Sequence, residues 1–370
     1  YCIVAIVLMV RVVLNNRDTV KTFAWMLVLV FLPFLGLVLY FFFGRDTRKS
    51  KMIGKRLLSQ IQRGHLNGII NDKVDVPNDY SSLVSFFENT SSAQLLPATG
   101  IEIISDTHDF AERLLRELGK AREHIHMQFY IFEDDALGRM VRDALIEKAQ
   151  EGLEVRVLYD DVGCWKVPHS FYDEMRESGI EVRGFLKVRF PRFTSKVNYR
   201  NHRKVIVIDG CIGFIGGMNI ALRYVKGVEW GVWRDSMMEI EGKAVYGLQT
   251  SFLTDWYATD HSLLTSSCYF PEMSVCGDAL IQVVTSDPVG KWQDIMQALL
   301  MVIGSSQKYI YVQTPYLLPT EPILMALKNA ALAGVDVRIM IPEHADTKLI
   351  HYGSMSYLDE LMVAGVKIYR

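Results

Sequence analysis

The chain has 370 residues, 50% of them hydrophobic and 22% charged, with a formal net charge of -2. That length accommodates two domains, and the balance excludes a predominantly disordered protein. A net charge near zero also excludes a global polybasic surface of the nucleic-acid-binding kind, so attraction for an anionic partner must come from local clusters. The five cysteines, Cys2, Cys164, Cys211, Cys268 and Cys276, are odd in number and form no C-x-x-C pair. They point to neither a disulfide framework nor a zinc knuckle and fit a reducing compartment.

In chain order, the first apolar run, Tyr1 to Leu14, is interrupted by Arg11, and the chain opens on Tyr rather than Met, so this first helix is expected to be truncated. Phe23 to Phe43 follow as 21 residues without a charge. At about 1.5 Å per residue such a run spans roughly the 30 Å core of a bilayer. The expectation is a transmembrane helix that tolerates Pro33 and Gly36, with Trp25 and Tyr40 near its interfaces, so residues 1–44 read as a transmembrane hairpin. Arg45, Arg48, Lys49, Lys51, Lys55 and Arg56 crowd its far end. The positive-inside bias therefore predicts a multi-pass membrane anchor with everything beyond residue 44 on the cytoplasmic side. Residues 45–95 read as a basic juxtamembrane segment and linker, polar and without periodicity from 59 to 96.

Strand and helix patterns then alternate: a strand at Ile101 to Ile104, a helix with Phe110, Leu114, Leu115 and Leu118 on one face, and a strand at Ile125 to Phe132. A helix with Leu137, Val141, Leu145 and Ala149 and a strand at Val155 to Tyr159 follow, which defines an α/β domain. The second half repeats the first. Ile125 to Tyr130, a helix and Gly152-Leu-Glu-Val-Arg-Val-Leu158 match Ile310 to Tyr316, a helix and Gly334-Val-Asp-Val-Arg-Ile-Met340; Gly179-Ile-Glu-Val182 matches Gly365-Val-Lys-Ile368. Two copies about 185 residues apart indicate a duplicated domain, with repeats over 96–265 and 266–370.

Between the copies lies Asn201-His-Arg-Lys-Val-Ile-Val-Ile-Asp209, followed by Gly216-Gly-Met-Asn219, the pattern H-x-K-x4-D-x6-G-G-x-N. Transfer of a phosphodiester requires a nucleophile, a cation for the non-bridging oxygens and an acid for the leaving alkoxide. His202 and Lys204, two apart on a strand, would bring an imidazole and an ammonium to one face. Asn219 offers a neutral donor, and Gly216 and Gly217 allow backbone N–H groups to approach a phosphate. Asp209 ends the apolar strand Val205 to Ile208, where ordering of the following turn is the expected role.

His202, Lys204 and Asp209 match the HKD signature, by which the chain resembles the phospholipase D superfamily. The hairpin ending Phe-Phe-Phe-Gly44-Arg, with Trp233-Arg-Asp235 and Thr314-Pro-Tyr316, is similar to the cardiolipin synthases in particular. The resemblance implies an α/β fold of duplicated phospholipase D-like sandwich repeats and a metal-independent, cofactor-free reaction through a phosphohistidine. It also implies transfer of a phosphatidyl group between two phosphatidylglycerol molecules with release of glycerol. Catalytic roles for His202, Lys204 and Asp209 and supporting roles for Gly216, Gly217, Asn219 and Asp235 follow from it, Asp235 being expected to fix one ring nitrogen of His202. Members of this family carry two HKD motifs, whereas this sequence holds one, so a second H-x-K motif is expected just beyond Arg370, completing a composite site at the interface of the repeats.

Other residues divide less sharply. His124 and His126 share a strand face without a third ligand, which favours a structural role over a metal site. Asp160 and Asp161 follow a strand and suit a loop or cap. Val182 to Ile208 contain eight Lys or Arg residues and no acid, read as a docking surface for anionic phospholipid. A hydrolytic phospholipase D or nuclease of the same superfamily, and a non-catalytic lipid-binding scaffold, remain as alternatives to the transferase; partners are phosphatidylglycerol and the membrane, not nucleic acid.

Overall fold

The computed structural model describes residues 2–15, 19–40, 44, 74–187, 200–229, 231–273, 277, 279–287, 290 and 292–370. The basic cluster Arg45 to Arg56 and positions 188–199 of the second basic stretch lie outside the described residues. The chain forms two units, Tyr1–Lys73 with Leu96–Ile281, and Val74–Leu95 with Gln282–Arg370.

At the N-terminus α1 (Cys2–Asn15) packs on α2 (Thr19–Phe31), and Val12, Leu29 and Tyr40 are buried in the cluster they share. The continuous helix expected over Phe23 to Phe43 does not form. It ends at Phe31, and α3 (Leu35–Leu39) begins after Pro33, which lacks a helix-bonding N–H, and Phe34, whose φ is 64°. In one straight helix Trp25 and Tyr40 would stand about 22 Å apart. Their ring centroids are instead 5.5 Å apart, so the chain doubles back. Gly36 permits the close turn, since a Cβ there would lie 2.6 Å from the Val28 carbonyl oxygen. Among the described residues no helix is long and apolar enough to cross a membrane.

The first unit is organised by a seven-stranded mixed sheet. Its strands are β2 (Gly100–Ile104), β3 (His124–Phe129), β4 (Glu154–Asp160), β5 (Glu181–Phe185), β6 (Val205–Ile208), β7 (Ile212–Gly216) and β8 (Met237–Glu241), in the order β2-β8-β7-β6-β3-β4-β5. β3, β4 and β5 are parallel, and β3 through β6, β7 and β8 to β2 are antiparallel. One face packs against α5 (Thr107–Lys120), α6 (Ala136–Gln150) and α7 (His169–Glu177). Asp106 and Asp135 cap α5 and α6 by accepting the amide protons of Asp109 and Gly138 at 3.0 and 2.9 Å. Phe110, Leu114 and Leu118, and Leu137, Val141 and Leu145, bury the predicted faces of these helices. All six β3 side chains are buried: Ile125, Met127 and Phe129 join the core under these helices, while His124, His126 and Gln128 bond to side chains of α9 (Val245–Asp260) or stack on it. The chain passes from β7 to β8 through the short α8 (Leu222–Lys226).

In the second unit β10 (Tyr309–Gln313), β11 (Asp336–Met340) and β12 (Lys367–Tyr369) form a parallel sheet. α11 (after α10, Asp294–Ser305) is Glu321–Leu332 and joins β10 to β11, while α12 (Lys348–Met355) and α13 (Leu358–Val363) join β11 to β12. This is the strand-helix-strand-helix-strand order of β3 to β5. The stretch read as a linker holds α4 (Ser81–Ser91), which packs on α10 and buries Val84 and Phe87. Its apolar stripe is too short to register as a helical period. A separate two-stranded sheet pairs β1 (Leu95–Ala98) with β9 (Ala279–Gln282).

Candidate active site

Strand β6 begins at Val205, so His202 and Lys204 lie in the extended segment that leads into it rather than on the strand itself. They meet nonetheless. Lys204 Nζ is 3.1 Å from His202 Nδ1 and donates to the His202 carbonyl oxygen at 2.8 Å. Lys204 is only 2% exposed. Burial lowers its ammonium pKa to about 8 against the opposing pull of the Asp235 carboxylate. The His202 imidazole is pushed below its usual value first by partial loss of solvent and then by the Lys204 charge, with Asp160 acting the other way. The pair is therefore set as a neutral imidazole beside an ammonium near neutral pH.

Two buried carboxylates hold this segment. Asp160, at the end of β4, accepts from the Asn201 amide at 2.9 Å and from the amides of Val162 and Gly163 at 2.9 and 3.0 Å. Asp255, on α9, accepts from Asn201 Nδ2 at 2.9 Å, from Gln128 Nε2 at 2.7 Å and from the Arg203 guanidinium. Both neighbours of His202 are thus anchored, Asn201 through its amide and side chain and Arg203 through its guanidinium. Sequence reasoning gave Asp160 a loop role and missed Asp255 altogether.

Other motif residues serve the scaffold. Asp209, with φ 53°, accepts from the amides of Arg122, Glu123 and His124 at 2.8 to 2.9 Å. It orders the turn before β3 rather than the turn that follows it, and lies about 16 Å along the strand from Lys204. Asn219 is buried, accepting from the Ile131 amide at 3.0 Å and donating to the Tyr224 hydroxyl at 2.5 Å, so it braces the end of β3. The Gly217 amide donates to the Ser236 carbonyl at 2.9 Å rather than facing an open site. A Cβ at Gly216 would stand 2.3 Å from Ser236 O, and one at Gly217 2.0 Å from Asp235 Oδ1; the glycines make room for the start of β8. Asp235 accepts from the Ser236 amide at 2.8 Å and exerts its field on Lys204. Among the described residues no hydrogen bond joins it to His202.

His124 and His126 are fully buried and structural. Gln249 lies between them, 3.1 Å from His124 Nε2 and 2.8 Å from His126 Nδ1, and the His126 ring stacks on Phe252 at 4.5 Å. Burial lowers the pKa of both rings, His126 by far the more.

A mixed α/β sheet that feeds an H-x-K-x4-D segment into an antiparallel hairpin, with imidazole and ammonium in contact, defines the phospholipase D-like class. The family model described as cardiolipin synthase, PLD-like domain, matches residues 114–256 and 299–370. The chain belongs to this cardiolipin synthase family. A model of the phospholipase D-nuclease N-terminal region matches residues 3–45. The cardiolipin synthase of Alkalihalophilus pseudofirmus is 37% identical over 363 residues, 96% of this chain and 72% of that protein. That of a Geobacillus species is 38% identical over 364 residues, with the same coverage. Among solved structures, the phosphatidylserine synthase of Haemophilus influenzae Rd KW20 covers 79% of this chain and 77% of its own at a TM-score of 0.53 and 14% identity, a likeness of fold.

Proposed function

We propose that the protein is a phosphatidyltransferase that moves the phosphatidyl group of one phosphatidylglycerol to a hydroxyl of a second, forming cardiolipin and releasing glycerol. The contact of Lys204 Nζ with the His202 ring, in a chain of this family, carries the reading. The neutral imidazole attacks phosphorus, a P–N bond forms, the bond to the glycerol oxygen breaks, and that oxygen takes a proton as it leaves. The Lys204 ammonium offsets charge on the non-bridging oxygens. In the second half the acceptor hydroxyl attacks, its proton passes to a base, and the P–N electron pair returns to His202.

The imidazole that carries the phosphatidyl group is not at that moment the acid, so a second histidine supplies the proton. The second unit repeats the order of β3 to β5, which supports a second H-x-K motif encoded beyond Arg370. The N-terminal helices expose Ile3, Val7, Val20, Phe23, Leu27 and Phe31. Such apolar surface suits lipid, and we assign these helices to the inner membrane, with the catalytic domain on the cytoplasmic side near anionic headgroups. Protease cleavage beyond residue 60 from the outer face of intact cells would overturn that topology.

The decisive assay uses the protein extended through its complete second repeat with phosphatidylglycerol vesicles. Cardiolipin and glycerol should appear in equal amounts, and His202→Ala should lose at least ~10³-fold in rate. Phosphatidic acid as the sole product would identify a hydrolase instead, and an undiminished His202→Ala rate would remove His202 from the chemistry.

A further inference from the structure

Tyr130 follows β3 and stands against the proposed nucleophile. Its ring centroid lies 4.5 Å from that of His202 with the planes at 46°, and Lys204 Nζ is 5.4 Å from the same centroid. The residue belongs to no part of the H-x-K-x4-D-x6-G-G-x-N pattern. It is nevertheless held firmly. The Tyr130 carbonyl faces Cys164 Sγ at 3.5 Å, the next amide, Ile131, donates to Asn219 at 3.0 Å, and the Phe132 amide donates to the same sulfur at 3.3 Å. Cys164 and Phe132 are buried, so the ring stands on a fixed backbone.

Resting on the function proposed above, we infer that Tyr130 is a positioning residue that closes one side of the His202 phosphatidyl intermediate to water, so that the group passes to an alcohol rather than being hydrolysed. Both outcomes break the same P–N bond and return its electron pair to His202. A lipid hydroxyl forms the new P–O bond of cardiolipin, and water forms that of phosphatidic acid; in each case the proton goes to the same base. What separates them is which oxygen reaches phosphorus. A phenol ring packed on the imidazole occupies volume that solvent would otherwise fill, and its face also attracts the Lys204 ammonium.

Two measurements test the wall, both on the extended protein. The first is the ratio of phosphatidic acid to cardiolipin formed from phosphatidylglycerol vesicles. Tyr130→Phe keeps the ring and should leave the ratio near that of the parent protein, whereas Tyr130→Leu should raise it at least ~10-fold, since a small loss of placement costs rates of that order. The second is the His202 pKa, read by NMR with labelled histidine and no turnover. The charged groups facing this ring are Lys204 and Asp160, with Asp235 acting on Lys204. With these unchanged, Tyr130→Leu should move the pKa up toward the usual imidazole value as water enters. If Tyr130→Leu does not fold, Tyr130→Met, also without a ring, takes its place. A lower rate with an unaltered product ratio and an unaltered His202 pKa would overturn the inference. Absence of cardiolipin from the parent protein would instead defeat the proposed function, while the histidine titration would still decide whether Tyr130 excludes water.

Discussion

Asp255 is the residue whose loss should separate the scaffold of the site from its chemistry. Asp255 is 6% exposed, and its carboxylate serves Gln128, Asn201 and Arg203, two of which flank His202. Asp255→Asn keeps the volume and one carbonyl oxygen but removes the charge and at least one acceptor site. A hydrogen bond to a charged group contributes about 1.5–3 kcal/mol and a neutral one about 0.5–1.5 kcal/mol. The Arg203 side chain is 28% exposed and regains solvent, which places the net loss toward the lower end, about 2 kcal/mol. For a domain of this size that lowers Tm by about 4–8 °C. The catalytic loss should be larger in proportion, because a shift of His202 by about 1 Å costs ~10²-fold. Circular dichroism melts paired with kcat/KM for cardiolipin formation would read both effects. A variant that loses stability yet keeps full kcat/KM would show that the clamp does not set the position of His202.

Lys204 should impose an alkaline limb. Its ammonium has a folded-state pKa of about 8, so it is charged below that value and neutral above it, and kcat/KM, which reports the free enzyme, should fall as pH rises through about 8. Lys204→Arg keeps a charge throughout the range and should abolish that limb even if kcat drops; persistence of the limb would assign it to another group. Asp209→Asn should destabilise the fold by about 1–3 kcal/mol through weakened bonding of the turn before β3. Turnover per folded molecule should change much less than in Lys204 variants, and equal losses in both would return Asp209 to the reaction itself.

What could be read from the sequence was what is local or periodic. Helix faces such as Phe110, Leu114 and Leu118 and the buried strands around β3 follow from spacing, and the contact of His202 with Lys204 follows from their separation by one residue. The clamp was not legible because its bonds join Asp255 to residues 52, 54 and 127 positions away. A spacing pattern also identifies residue types without saying where their polar groups are spent. Asn219, Gly217 and Asp209 stand where the motif puts them, yet their bonds run to Ile131, Ser236 and the 122–124 turn. Hydropathy failed at Pro33 and Phe34 because it counts charge and apolar content, while the break is a matter of a missing N–H and a left-handed φ.

The likeness of the two units extends beyond element order. In the first unit the β3 face bearing His124, His126 and Gln128 meets α9, and Arg156 on β4 lies over Trp256 of that helix at 5.5 Å. At the matching positions of the second unit β10 carries Tyr309, Tyr311 and Gln313, and Arg338 on β11 lies over the Tyr311 ring at 5.0 Å. The alternate residues, Ile125 and Met127 in one strand and Ile310 and Val312 in the other, belong to the aliphatic cores. Each strand thus has one aliphatic face and one face of polar and aromatic groups. The second face differs in what lies against it: α9 buries it in the first unit, whereas Tyr309 and Tyr311 remain 60% and 58% exposed in the second. The two strands thus sort the same kinds of residue to the same faces, although among the described residues only the first unit has that second face covered.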